Sequence, residues 1–496
     1  MPHGDSTAEA VVVGSGPNGL AAAVILAGAG LEVEVYEAGE TLGGGCRTAE
    51  VTLPGFRHDI CAGAHPMAAA SPFFRAFDLA AHGVELLAPA ASYAHPLDGG
   101  TAGVAWRDLD RTVAELGRDG AAWRSLFEPL VRDWSAVVET ATADMRHVPI
   151  SPATVRFGLR LLEQGSPLWN ARFHGAVAPA LFSGVAAHTI RPPRKLPAVG
   201  AGLLLATLGH AGGWHIPRGG SQAIVDALAT ELRRRGGRVI TGHRVDSLAE
   251  FGGARAILCD TSPAELVRLA GDRLPAGYRR RLNKVRYGPG VCKVDFALSG
   301  PVPWQAPGCA EAGTLHLVGS RAEAMAAEHA VAAGMHTERP YTLVIQPGVV
   351  DDSRAPAGRH TLYAYAHVPH GSGRDISDHI IAQIERFAPG FRDLILGRHV
   401  QTAAQLAEYN TNYVGGDIGS GAMTLLQTAL RPAPRWNPYA TGIPGVYLCS
   451  SAAPPGGGVH GMAGTHAATH ALRTVFGDRT DPYELVAAKS AATPEG

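Results

Sequence analysis

The chain has 496 residues, a formal net charge of -1, and 46% hydrophobic against 18% charged residues. A balance this close to neutral gives no footing for a nucleic-acid partner. The apolar content excludes a disordered chain in spite of 62 glycines and 35 prolines, and the length suffices for two or more lobes with a sizeable core.

The opening "MPHGDSTAEA" has no basic segment leading into an apolar core. No signal peptide is therefore expected, and the expected location is cytoplasmic. "AVVV" reads as a short buried strand, Gly14-Ser15-Gly16-Pro17-Asn18-Gly19 as a tight turn, and "LAAAVILAGAG" as a helix. Gly14 permits the turn, Gly16 lets the backbone approach a pyrophosphate, and Gly19 lets the helix pack closely on the strand, with Pro17 and Asn18 completing the loop. The helix N-terminus offers unpaired N–H groups to the phosphates. "LEVEVYE" is the second strand, ending at Glu37 and followed by Ala38. A carboxylate there accepts hydrogen bonds from both ribose hydroxyls and repels a 2′-phosphate. The motif alone does not separate NAD from FAD. The next cluster, "LGGGCRT", does so: Gly44, Gly45 and Arg47 bring more backbone and a cation to the same pyrophosphate, which an extended, buried FAD requires.

Further along, "PALFSGVAAHTIRPPRKLPAVGAGLLLATLGHAGGW" is the most apolar region outside the nucleotide-binding half. It reads as ordinary lobe core, as the lining of a tunnel for a greasy substrate, or as a membrane-facing patch. In "PRGGSQAIVDALATELRRRGG", Ser221 caps a helix running to Arg235, and the "RVITGHRVDSL" that follows is the next strand. "ARAILCD" is another buried strand, and "TSPAEL" opens a helix with Pro263 at its first position. Helical periodicity marks "AAWRSLFEPLVRDWSAVVETA" and "VRFGLRLLEQ", and period-two alternation marks "GVCKVDFALSG", "YTLVIQPG" and "HTLYAYAHV". The six cysteines are scattered with no CxxC pair, as expected of reduced thiols.

Five blocks together resemble the phytoene desaturase and carotenoid isomerase group of FAD-dependent oxidoreductases, within the monoamine-oxidase-like flavoproteins. They are the Gly14-to-Glu37 motif, "LGGGCRT", "GFRHD", "PRGGSQAIVDAL" and "GVYLCSSAAPPGGGVHGMAGTHAATHAL". Two departures stand out. Cys46 intervenes between Gly45 and Arg47 where relatives carry Gly-Gly-Arg, and "CSSA" replaces the usual Gly-Asp, so that Ser450, Ser451 or the backbone alone takes over the acid's contact. The resemblance implies that the backbone of Val245 pairs with the adenine edge. It also implies that N–H groups near Gly458, Val459 and Met462, at a helix N-terminus, face the pyrimidine end of the flavin.

The expected fold is α/β. A discontinuous Rossmann-like FAD-binding domain comprises residues 8–85, 212–285 and 439–478. An α+β substrate domain of mixed sheet and helices comprises 86–211 and 286–438, and a loose tail comprises 479–496. Lys293 shares a strand face with Asp295, in a stretch similar to one in amine oxidases where a lysine holds a water against flavin N5. It is a candidate catalytic residue unless it simply reaches solvent. His65 and His460 are candidates for proton transfer or, equally, structural histidines. His466 and His470 lie four apart on a predicted helix without a carboxylate or cysteine, and no metal site is expected. The expected function is hydride transfer between an apolar or polyene-like molecule and FAD. Amine oxidation and a flavin-binding scaffold with little catalysis are the alternatives. The expected electron acceptor is oxygen, a quinone or a partner protein, with at most peripheral membrane contact.

Overall fold

The computed structural model describes residues 8–144 and 147–487. It is a mixed α/β structure built on two sheets. The first has five strands in the order Val446–Leu448, Ala256–Cys259, Ala10–Val13, Val33–Tyr36 and Arg238–Ile240, all parallel. Helix Pro17–Gly28 is apolar on every side, so it needs cover all round. It lies against the sheet and packs on helices Gln222–Arg234 and Met462–Ala471. Segments from the beginning, middle and end of the chain thus share one core.

The second sheet has seven strands in the order Ile395–Gln401, Gly290–Leu298, His360–Val368, Thr342–Ile345, Ala312–Leu317, Ala91–Leu97 and Thr101–Trp106. All pairs are antiparallel except Ala312–Leu317 with Ala91–Leu97. Its two faces follow the alternation of the sequence. Phe296, Leu315, Val344 and Ala364 point into a core with Ile380, Ile384 and Phe387 of helix Ser377–Phe387. Thr314, Leu343, Ile345, Tyr363 and Tyr365 point the other way, into a cavity. Helices Gly120–Arg132, Val177–Ala186 and Leu196–Ala211 close this lobe through Trp123, Phe127, Phe182 and Leu203.

Three details differ from expectation. The helix expected through "AAWRSLFEPLVRDWSAVVETA" is two helices, Gly120–Arg132 and Trp134–Thr142, separated at Asp133. Ser221 precedes helix Gln222–Arg234 but makes no side-chain cap, because its hydroxyl donates to the Ala62 carbonyl. The tail is not loose over its first part: Pro482–Val486 is a helix, Val486 is buried, and Arg235 donates to the Leu485 carbonyl. Positions 488–496 of that tail lie outside the described residues.

The lobes are joined by a buried ion pair. Asp59 and Arg354 are each almost fully enclosed, with Arg354 Nη2 donating to Asp59 Oδ2 at 2.6 Å. The other carboxylate oxygen accepts from Thr48 Oγ1 at 2.7 Å and from the Ser221 N–H at 2.8 Å. Burial alone would raise the Asp59 carboxyl, but Arg354 and the Ser221 N–H outweigh it and hold it below the usual carboxylate range. Removing Arg354 strands the Asp59 carboxylate, and removing Asp59 leaves Arg354 only the more distant Asp351 carboxylate, 3.7 Å away. Asp59→Asn and Arg354→Met are therefore each expected to cost about 3–5 kcal/mol. The double variant should lose less than the sum, as measured by chemical denaturation; strictly additive losses would show that the pair does not join the lobes.

Candidate active site

A single cavity of about 670 Å³ runs from the Gly14 turn to the inner face of the seven-stranded sheet. That is within the usual range for small-molecule and cofactor sites, about 300–1,000 Å³. At the nucleotide end it is lined by Gly14, Gly16, Pro17, Asn18, Glu37, Ala38, Gly44, Gly45, Arg47 and Val245. Gly14 has φ +98°, a conformation side chains rarely adopt, and a Cβ on Gly16 would lie 2.4 Å from Asp260 Oδ2. Gly19 does not line the cavity; its N–H is turned under the loop, where it donates to Asp260 Oδ2 at 3.0 Å.

Glu37 is held from both sides. One oxygen accepts from the N–H and hydroxyl of Ser15, and the other from the Gly39 N–H at 2.8 Å and Arg47 Nη2 at 3.1 Å. Arg47 also donates to the Thr41 carbonyl at 2.6 Å and to the Tyr409 hydroxyl at 3.2 Å. The insertion of Cys46 thus leaves Arg47 on the cavity wall, but bonded to Glu37. The Val245 carbonyl accepts from Arg268 Nη2 at 2.7 Å, and its N–H has no protein acceptor among the described residues.

Ser450 and Ser451 line the cavity with their hydroxyls already committed, to the Thr261 carbonyl at 2.6 Å and Ser420 Oγ at 2.8 Å. Gly458, Val459 and His460 line the far end. Met462 does not, because its N–H donates inward to His460 Nδ1 at 3.0 Å. His460 Nε2 lies 3.0 Å from the Gly456 carbonyl. With Nδ1 accepting, Nε2 must carry the proton and donate. Both nitrogens are therefore used in holding the loop, and burial pushes the imidazolium down to about 4. His460 is a loop clasp and not a proton carrier.

His65 differs in one respect. Its Nε2 is 2.7 Å from Ser221 Oγ, whose proton goes to the Ala62 carbonyl, so Nε2 donates. That leaves the Nδ1 lone pair buried, without a partner, on a residue that lines the cavity. Burial pushes His65 down to about 4, so it is a neutral acceptor near pH 7. Ser221 also links this ring to Asp59, so the buried pair that joins the lobes positions His65 as well.

Lys293 is not on the cavity wall. It is 2% exposed, bonded to Asp295 on the same strand face, with its ammonium 4.5 Å from the Tyr363 ring centre. The alternation that put the two side chains together also let the carboxylate capture the ammonium. A lysine-held water at the reacting centre is not supported by this arrangement. His466 Nε2 donates to the Thr142 carbonyl at 2.9 Å and His470 sits 3.5 Å from Asp144. No group of three metal-binding side chains occurs among the described residues.

Several site residues carried no sequence signal. Asp260, at the end of strand Ala256–Cys259, sits beneath the glycine turn, and burial together with the charge of Glu37 raises its carboxyl to about 7. Thr261 presents a buried hydroxyl without a partner. Away from the glycine turn, the cavity wall combines Leu204, Leu205, Trp214, Tyr363 and Tyr365 with His188 and Arg191. The Tyr363 hydroxyl donates to the Cys61 carbonyl at 2.6 Å, tying the seven-stranded sheet to the loop that carries His65.

Residues 12–82 match the NAD(P)-binding Rossmann-like domain family. The chain is 26% identical to the rat pyridine nucleotide-disulfide oxidoreductase domain-containing protein 2, over 93% of this chain and 92% of that protein. It is also 26% identical to a phytoene dehydrogenase of Streptomyces griseus, over 76% of this chain and 78% of that one. Among solved structures, the cyclohexylamine oxidase of Brevibacterium oxydans superposes with a TM-score of 0.55 at 15% identity, covering 95% of this chain and 99% of the oxidase. Among the described residues, no helix is long and apolar enough to cross a membrane. Fold and similarities together make the chain an oxidoreductase of the FAD-dependent type with a Rossmann-like domain.

Proposed function

We propose that the protein binds FAD and transfers hydride between an apolar or polyene-like small molecule and the flavin, by desaturation, saturation or redox-assisted isomerisation of a carbon–carbon bond. The observation that carries this reading is the continuity of one cavity from the glycine turn and Glu37 to a wall of Leu204, Leu205, Trp214, Tyr363 and Tyr365. The fit of the chain to FAD rests on the turn a Cβ would fill at Gly16, the carboxylate at the end of the second strand, and the free Val245 N–H. When bound, FAD supplies the hydride acceptor or donor. The chain binds, orients and excludes water, and His65 Nδ1 offers one hydrogen-bond acceptor beside the apolar wall. Exposed Val155, Leu159, Leu425 and Leu426, on two helices that both pack on Leu196–Ala211, support uptake of an apolar molecule on that side, with peripheral membrane contact.

Amine oxidation is disfavoured by two features. Lys293 is sequestered by Asp295, and the walls from 141–214 and from the seven-stranded sheet carry no carboxylate to meet an ammonium. A flavin scaffold differs from an enzyme in its reoxidation. The flavin protein, reduced anaerobically, is expected to be reoxidised by dioxygen or a soluble quinone, and inertness towards both would favour the scaffold.

The purified protein is expected to be yellow, with FAD released on denaturation. Gly16→Ala, whose Cβ collides with Asp260, is expected to bind FAD at least about tenfold more weakly by fluorescence titration. Unchanged uptake would overturn the assignment of the turn. Asp260 sets the pH dependence. It is protonated below about 7 and ionised above, so a pyrophosphate bound beside it meets a second negative charge only at higher pH. FAD affinity should therefore fall as pH rises above about 7, by up to about tenfold per unit. In Asp260→Asn the fall should disappear; a pH-independent affinity in the wild type would contradict this.

A further inference from the structure

Three arginines and no lysine line the cavity. Arg47 is paired with Glu37 at 3.1 Å, and Arg244 lies 3.5 Å from Glu265. Arg191 alone of the three has no hydrogen bond or ion pair among the described residues, and its Nε is buried without an acceptor. Its two terminal nitrogens stay accessible at the cavity wall, with no carboxylate of the described residues paired to them.

The backbone holds it there. Ile190, just before it, has φ 52° and ψ 46°, a left-handed conformation that is costly for a β-branched residue. Pro192 and Pro193 follow and restrict Arg191 to extended geometry. The same segment carries His188, whose ring centre lies 5.3 Å from that of Trp214. The neighbouring His215 carbonyl accepts from the His65 N–H at 2.7 Å. Arg191 is therefore at the substrate-lobe end, near the buried acceptor of His65 and away from the nucleotide end. The histidines there add no charge: burial pushes His188 down to about 3 and His65 to about 4.

We propose that Arg191 receives the carboxylate of the substrate, and that the substrate class is an apolar or polyene-like carboxylic acid bound with its acid group at Arg191 and its chain along Leu204, Leu205 and Trp214. One unpaired guanidinium matches one negative charge, and its planar fork suits a carboxylate. This inference rests on the reading of the site as a substrate cavity joined to an FAD site.

The test uses the FAD-loaded protein and two probes, cis-parinaric acid, a fluorescent conjugated polyenoic acid, and its methyl ester. Fluorescence titration is expected to show the acid bound about ten- to a hundredfold more tightly than the ester. Arg191→Met should abolish that preference while leaving ester affinity in place, and Arg191→Lys should retain part of it. Equal affinity for acid and ester in the wild type, failure to bind either, or a preference that survives in Arg191→Met would overturn the proposal. The visible spectrum of each preparation separates the two readings. Flavin present with no preference for the acid defeats the role of Arg191 alone, whereas protein that takes up no FAD defeats the cofactor assignment beneath it.

Discussion

The Asp59 carboxylate, shut away from water, is the constraint on which the site depends. It is reached by Arg354 from the sheet lobe, and by Thr48 and Ser221 from the nucleotide-binding lobe. A buried ion pair contributes little net stability, since desolvation consumes much of the attraction. Its effect here is geometric. Three segments distant in sequence must meet at one point, and the loop from Cys61 to His65 is fixed as they do. Ser221 is the link: its N–H satisfies Asp59 while its hydroxyl fixes the tautomer of His65. A two-oxygen acceptor thereby sets which nitrogen of a ring six residues after it in sequence faces the cavity unprotonated.

The same logic separates the two candidate histidines. Both are buried, and both are driven neutral by that burial. His460 spends its two nitrogens within its own loop, on Gly456 and Met462, so nothing remains for a ligand. His65 spends one. Burial alone does not distinguish a structural histidine from one able to meet a substrate; the count of unsatisfied nitrogens does.

Much of this was legible in the residues, and what was not has a common cause. The strand, turn and helix around Gly14 follow from local periodicity and backbone sterics. So does the two-faced sheet around Lys293 and Tyr363. Alternation correctly put Lys293 beside Asp295, yet the consequence, an ammonium captured before it can reach the cavity, depends on burial that a strand does not reveal by itself. Ser221 looked like a helix cap because its position fits one; its hydroxyl is claimed instead by a carbonyl from a segment 159 residues away. Arg354 belongs to no motif, and its partner is 295 residues distant. Arg191 lay inside the apolar stretch suggested for a tunnel. What marks it is the absence of a partner, which is a property of the assembled fold and never of a sequence window.

The charged groups of the cavity are confined to particular stretches of its wall. Five carboxylates line it, Glu37, Asp260, Glu265, Glu408 and Asp417; Glu37 is tied by four donors and Asp260 is held half-protonated near neutral pH. His65, His188 and His460 are uncharged, and residues 141–214 and the seven-stranded sheet bring apolar side chains and no carboxylate to the wall. On that same stretch Arg191 carries an unpaired guanidinium. In a low-dielectric channel such an arrangement acts on any molecule that enters. A cationic molecule is repelled from Arg191, and an anionic one is drawn to it with its uncharged part against the apolar side chains. The loop that brings His65 to this wall is fixed, in turn, by the contacts that the buried Asp59 makes.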